Sequence, residues 1–178
     1  EKRFWSMDNT DINRMFPGYD KGETTQRIAA ALFETLKDYT YGIQLASFYM
    51  PGEFVPHVRM MDTGYQDVAD ARMFELPYVY VRKPRPYDST MLNYNWQIWN
   101  TFAFSIYSGL TNQLNTDLAD ETIHAIFRFL DRKKIISDFH RHGFVSEIVN
   151  DDNHVVVRTD KAGFYQKLVS ANQSVDKG

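Results

Sequence analysis

NYNWQIWNTFAFSIYS, residues 93–108, is the stretch on which the reading of the fold turns. Tyr94, Trp96, Ile98, Phe102, Phe104 and Ile106 fall on one parity, interrupted by Asn100, while Asn95, Gln97, Thr101 and Ser105 fall on the other. Such alternation puts the apolar side chains on one face of a strand. A single strand over 94–107 would span about 46 Å, more than twice the usual length, so it either bends at Asn100 or projects beyond the domain. Upstream, LPYVYV (76–81) is a compact β-prone run with its proline near the start, where a missing ladder donor is tolerated. Pairing 78–81 with 94–107 predicts a long antiparallel hairpin, whose tip RKPRPYDSTML (82–92) carries Arg82, Lys83 and Arg85.

Two amphipathic helices flank this region. From Thr24, Ile28, Leu32 and Leu36 recur at i+4, with Thr24 or Thr25 available as N-cap and Gly42 soon after the last turn. From Thr116, also a candidate cap, Ala119, Ile123, Ile126, Phe127 and Leu130 form the apolar stripe of the second. Its acids (Asp117, Asp120, Glu121) come early and its bases (Arg128, Arg132, Lys133, Lys134) late, as the helix dipole favours. Residues 43–61 read as two strands or one hairpin about Pro51-Gly52, and 62–75 as a helical turn or an open loop. FVSEIVNDDNHVVVRTD (144–160) reads as two short strands around the Asn150–Asn153 turn, followed by one helical turn near Phe164 to Val169. Residues 1–23 form an irregular arm rich in large side chains, among them Trp5 and Phe16, that packs on its own domain or on a neighbouring subunit. The expected organisation is an arm, 1–23, and one α+β domain, 24–178. Its sheet is mixed or mainly antiparallel, with a long hairpin and two main packing helices.

The 178 residues carry a net charge of −3 and no cysteine, which excludes disulfide and cysteine–zinc chemistry. No apolar run approaches the ~20 residues of a membrane span, and the charged first fifteen residues lack the apolar region of a signal peptide. A cytosolic or virion location follows as the expectation. There is no GxSxG elbow and no glycine-rich phosphate loop. On a strand, Asp138, His140 and His142 would share a face and offer one carboxylate and two imidazoles to a divalent ion. Arg82, Lys83 and Arg85, beside Tyr87, offer a basic tip to nucleic acid or to an acidic partner.

The helix TTQRIAAALFETLKDY (24–39), the run ELPYVYVRKPRPY (75–87), the stretch 93–108 and the helix TDLADETIHAIFRFLDR (116–132), in that order, resemble the tail-terminator and head–tail neck-completion proteins of tailed bacteriophages. The resemblance covers roughly residues 24–132. It implies a structural subunit without enzymatic activity, cofactor or metal, usually in a hexameric ring that joins tail to head. Partners would be further copies of the chain, other tail or neck proteins, and DNA that passes through unread, with no membrane. The location would be the virion, with assembly in the host cytoplasm. Trp5, Phe16, Trp96 and Trp99 would then serve the ring interface, and Arg82, Lys83 and Arg85 a tip contact. Two readings from other classes stand beside it: a metal-dependent hydrolase or nuclease using Asp138, His140 and His142, and a small nucleic-acid-binding module.

Overall fold

Residues 93–108 form two elements, a helix and a strand. The computed structural model describes residues 4–5, 7–137 and 141–176, and in it α3 (Leu92–Ile98) precedes β4 (Phe102–Leu110). The period-two pattern over 94–98 is an accident of composition. Leu92 and Trp96 recur at i+4 and sink into one cluster, while Asn93 and Gln97, also at i+4, are buried together and bonded to each other. Asn100, with φ of +66°, closes the helix in the left-handed conformation that Asn tolerates better than most residues. The break at Asn100 is therefore real, and the overlong strand is not.

The remaining elements are α1 (Thr24–Leu36), β1 (Tyr41–Phe48), β2 (His57–Met61), α2 (Val68–Arg72), β3 (Tyr78–Arg82), α4 (Thr116–Arg132) and β5 (Glu147–Asn150), with 3-10 turns at Ile12–Arg14 and Pro86–Thr90. The class is α+β with a mixed five-stranded sheet ordered β1-β4-β2-β3-β5. β1 runs parallel to β4, and β2, β3 and β5 run parallel to one another. The one antiparallel junction, β4 with β2, lies in the middle. This order corrects one expectation: β3 and β4 do not make a hairpin, because β2 lies between them. Of the two readings of 43–61, two strands holds and one hairpin does not, because β4 lies between β1 and β2. Residues 82–92 are accordingly no projecting tip: Arg82 ends β3, and the chain then passes through the 3-10 turn to the start of α3. Beyond the Asn150–Asn153 turn the second C-terminal strand and the closing helical turn are absent from the described residues, which are irregular and exposed to residue 176. α1 is capped by Glu23, boxed with Gln26, instead of by a threonine, and α4 by Asn115, one residue before Thr116.

The two sheet faces differ in chemistry. On one, Val58, Met60, Val79, Phe104 and Ile106 pack beneath α2 and α4 against Ala71, Phe74, Ala125 and Phe129, with Phe74 and Phe129 stacked at 4.4 Å. On the other, Ala103 meets Phe16, Ala29, Phe33, Leu92 and Trp96, so α1, α3 and the N-terminal turn cover one end of that face. The described part of the arm thus packs in cis. Phe16 N–H donates to the Thr90 carbonyl and Leu92 N–H to Asn13 Oδ1. Gly42 is required beneath α3: a Cβ there would stand 2.7 Å from the Trp96 ring. On the far side, Arg128 is fully buried and spends its guanidinium on the carbonyls of Phe74, Glu75 and Arg141 and on Glu121, at 2.6 Å. That fork fastens the returning chain at 141–146 to the sheet, while Glu75 accepts from Gly143 N–H and Arg132. No helix among the described residues is long and apolar enough to cross a membrane.

Two substitutions test this packing in urea unfolding. Arg128→Ala removes four hydrogen bonds, leaves Glu121 with Arg141 alone, and is expected to cost about 3–5 kcal/mol. Gly42→Ala overpacks the Trp96 contact and is expected to cost about 1–3 kcal/mol. A midpoint unchanged by either would show that the contact carries no stability.

Candidate functional site

The second sheet face is polar wherever the helices do not cover it, and strand register decides which side chains share it. His57 stands opposite Tyr107 and Arg59 opposite Ser105 across the β2–β4 junction. Arg59 stands opposite Tyr80 on β3, and Gln44 of β1 opposite Ser105. One face therefore gathers Gln44, His57, Arg59, Tyr80, Arg82, Ser105 and Tyr107. α3 lowers Asn93 and Gln97 onto it, and the N-terminal turn adds Asn13 and Arg14.

These groups form a directed chain of hydrogen bonds. The Thr63 hydroxyl donates to Gln97 Oε1, and Gln97 Nε2 donates to Asn93 Oδ1 at 2.9 Å. Asn93 Nδ2 donates to Ser105 Oγ at 3.1 Å, Ser105 Oγ to Gln44 Oε1 at 3.4 Å, and Gln44 Nε2 to Asn13 Oδ1 at 3.3 Å. Every amide oxygen in the chain accepts and every amide nitrogen before Asn13 donates, which fixes the orientation of each amide plane.

Beside this chain the cations are held differently. Arg82 gives both Nη atoms to Asp88 at 2.6 and 2.7 Å, and Asp88, fully buried, also accepts from Arg85 N–H. Burial by itself raises the Asp88 carboxyl, but the Arg82 fork and the Arg85 N–H outweigh it and hold the net value below the ordinary Asp range. Arg14 stands 5.9 Å over the Tyr87 ring, and its charge also reaches Asp88. Arg59 lies between rings, 4.0 Å from the Tyr107 centroid and 5.3 Å from that of Tyr80. Its Nη2 contacts His57 Nε2 at 3.3 Å. Burial pushes His57 down to about 4, so the imidazole is neutral at pH 7 and accepts that bond, with Nδ1–H donating to the Val55 carbonyl. Arg59 Nε and Arg14 Nη1 are buried and make no hydrogen bond among the described residues.

A small cavity of about 30 Å³ opens among these groups, lined by Asn13, Gln44, Arg59, Arg82, Asn93, Ser105 and Tyr107 with Met60, Met61 and Met91. No carboxylate lines it. A larger groove of about 720 Å³ lies past the carboxyl ends of β2, β3 and β5, with a floor that includes Met60, Val81 and Phe102 and a rim that includes Asp62, Asp67, Asp151 and Asp152.

The sequence-predicted residues fall elsewhere. Phe16 and Trp96 are 5% and 6% exposed and serve the chain's own core, Trp96 donating Nε1–H to the Leu36 carbonyl. Trp5 and Trp99 are 40% and 45% exposed, Trp99 meeting Phe33 edge-on at 5.2 Å. Of the basic trio, Arg82 is neutralised by Asp88, Lys83 is exposed, and Arg85 donates to the Tyr87 hydroxyl at 3.0 Å. They form no common patch at a tip. Asp138 and His140 lie outside the described residues, and His142 is exposed. Among the described residues no group of three or more His, Cys, Asp or Glu is placed to hold a metal ion. Sequence reasoning missed Asn13, Gln44, His57, Arg59, Asn93, Ser105 and Tyr107. One signal was present: Arg59 interrupts the apolar run HVRMM, where a charge needs a reason.

No protein-family model and no curated protein sequence matches the chain. Solved structures do. A succinylglutamate desuccinylase/aspartoacylase from Rhodobacter sphaeroides superposes with a TM-score of 0.72 at 18% identity, over 84% of this chain and 47% of that one. A succinylglutamate desuccinylase from a Silicibacter species gives 0.71 at 20% identity, over 81% and 46%. The product-bound ectoine utilization protein from Ruegeria pomeroyi gives 0.68 at 18%, over 84% and 46%. The chain thus spans about half the length of these proteins. Their fold overturns the resemblance to phage tail-terminator and neck-completion proteins. The non-enzymatic ring subunit and the virion location go with it, because the same arrangement of sheet and helices is found in proteins named as enzymes of small molecules.

The Arg82–Asp88 pair gives this site an acid limit. Asp88 has a depressed carboxyl in the folded state, so its contribution is present above the unfolded value of about 3.9 and is lost as pH falls through the folded value. Asp88→Asn is expected to cost about 3–5 kcal/mol at pH 7 and to flatten the loss of stability below about pH 4. A variant whose acid unfolding curve superposes on that of the wild type would contradict this.

Proposed function

We propose that this chain supplies the ligand-binding site of a hydrolase that cleaves the amide between an acyl group and an acidic amino acid. The observation that carries the reading is the cavity on the polar face, where guanidinium and amide groups converge with no carboxylate in the lining. Such a lining suits one carboxylate head of a larger ligand. The shared fold with proteins named for succinylglutamate and acylated aspartate, both rich in carboxylates, supports the same ligand class.

The chain's own residues bind and orient. Gln44, Asn93 and Ser105, locked by their hydrogen-bond chain, form a floor that does not reorganise when a ligand enters. Neutral His57 is committed on both nitrogens, to Val55 and to Arg59, and is not placed to take a proton. The described residues do not fit a metal centre, and no step is assigned through one. The hydrolase alternative raised from the sequence is thus favoured as a class, while its residues Asp138, His140 and His142 carry none of the argument.

Thermal unfolding with N-succinyl-L-glutamate or N-acetyl-L-aspartate tests the reading. At about 100 times the dissociation constant, a specific ligand adds ~2.7 kcal/mol of stability and raises the midpoint by about 5–10 °C. Uncharged N-acetyl amides should leave it unmoved. No shift with either acid up to millimolar concentration would overturn the proposal.

A further inference from the structure

The two edges of the sheet differ. β5 is four residues long and begins with a glutamate, the short and charged form in which natural sheets protect an edge. β1, at the other end, is eight residues long, YGIQLASF, with no charge and no proline. Among the described residues it pairs with β4 alone. The carbonyls of Thr40 and Phe48 accept from Phe102 and Thr111 N–H, so the even-numbered residues along 40–48 turn their backbone toward β4. Alternation then turns the N–H and C=O groups of Tyr41, Ile43, Leu45 and Ser47 outward, to the open edge. The helix above this edge is as uncharged as the strand. α4 runs against β1, with Phe129 and Lys133 near Tyr41 and Ile123 beside Leu45. Ile123 and Phe127 are 51% and 40% exposed, and Leu45 is 62% exposed. Leu45, Leu118 and Ile123 line a largely apolar groove of about 400 Å³. An exposed apolar strip along an unprotected strand edge marks a surface that another chain covers.

We propose that a second copy of this chain covers it, β1 pairing antiparallel with its own equivalent about a two-fold axis at Gln44. The edge is complementary to itself in that register. The four outward residues are symmetric about Gln44, so Tyr41 meets Ser47, and Ile43 meets Leu45, of the second copy, each pair exchanging both backbone hydrogen bonds. Ile43 and Leu45 make an apolar cross-strand pair, and Gln44, at the axis, brings no charge onto its own equivalent. Because α4 runs against β1, the same axis carries Phe127 of the second copy to the groove beside Leu45. The interface is isologous and closes at two copies. It joins two five-stranded sheets into one continuous sheet and sets both polar faces on the same side. The pairing is independent of which ligand those faces bind.

The test is sedimentation velocity of the 178-residue chain over concentrations of about 1–100 μM. Wild type is expected to form a dimer. Leu45→Lys and Phe127→Glu each put an unpaired charge into the contact, and each alone is expected to raise the dissociation constant at least about 100-fold. Both side chains are exposed in the single chain, and circular dichroism checks that each variant is folded. An equimolar mixture of the two variants is expected to dimerise again, because the axis sets the introduced ammonium of one copy against the introduced carboxylate of the other. Loss of folding would give no such recovery. A wild type that stays monomeric throughout the range overturns the proposal, whatever other strand covers the edge. So does a dimer that survives both substitutions, which would lie on another surface, or a mixture of two folded variants that remains monomeric.

Discussion

The hydrogen-bond chain from Thr63 through Gln97, Asn93, Ser105 and Gln44 to Asn13 is the constraint on which the polar side of this protein depends. It joins the loop after β2, the helix α3, the interior strand β4, the edge strand β1 and the N-terminal turn. A buried polar network is worth its desolvation only when every member is satisfied, so these five parts must be in register together. α3 cannot slide along the sheet without stranding two amides. The N-terminal turn cannot lift away without freeing Asn13 from Gln44 and from Leu92. The cavity is the space left between this chain of amides and the neighbouring Arg59 and Arg82.

The two faces of the sheet solve different problems. Under α2 and α4 the sheet is closed by aromatic packing and by one buried arginine, Arg128, whose partners are mostly backbone carbonyls. That arginine behaves as a structural fastener because each of its three nitrogens donates to an acceptor. Arg59 has the same chemistry and the opposite situation, with aromatic faces where Arg128 has acceptors. The contrast sets a guanidinium held by backbone carbonyls against one held by aromatic faces with its Nε–H unmade.

Much of the local structure was legible. The helices from Thr24 and Thr116 have the spacing, and the strands near 43–48, 57–61 and 78–82 the composition, that the structure confirms. α3 was not legible because NYNWQIW carries strong β propensity and an accidental alternation, and propensity yields to burial when tertiary contacts reward a helix. Its i+4 pairs, Leu92 with Trp96 and Asn93 with Gln97, were visible but outweighed by the aromatic parity. From that one misreading came the hairpin and the projecting tip, and it was one of the four segments on which the resemblance to ring-forming phage proteins rested.

The sequence by itself determined the class of the protein, the positions of its main helices and the absence of cysteine chemistry, because composition and short-range periodicity act within a few residues. Strand order belonged to the tertiary structure alone. Placing β4 between β1 and β2, and β2 between β4 and β3, brings Gln44, Arg59, Tyr80 and Ser105 side by side from segments far apart in the chain. No periodicity encodes such a juxtaposition, since each strand reads the same whichever neighbour it pairs with. Residues 59 and 105 become a site only when long-range pairing puts them opposite each other, and the free energy that selects this pairing is spread over the whole core.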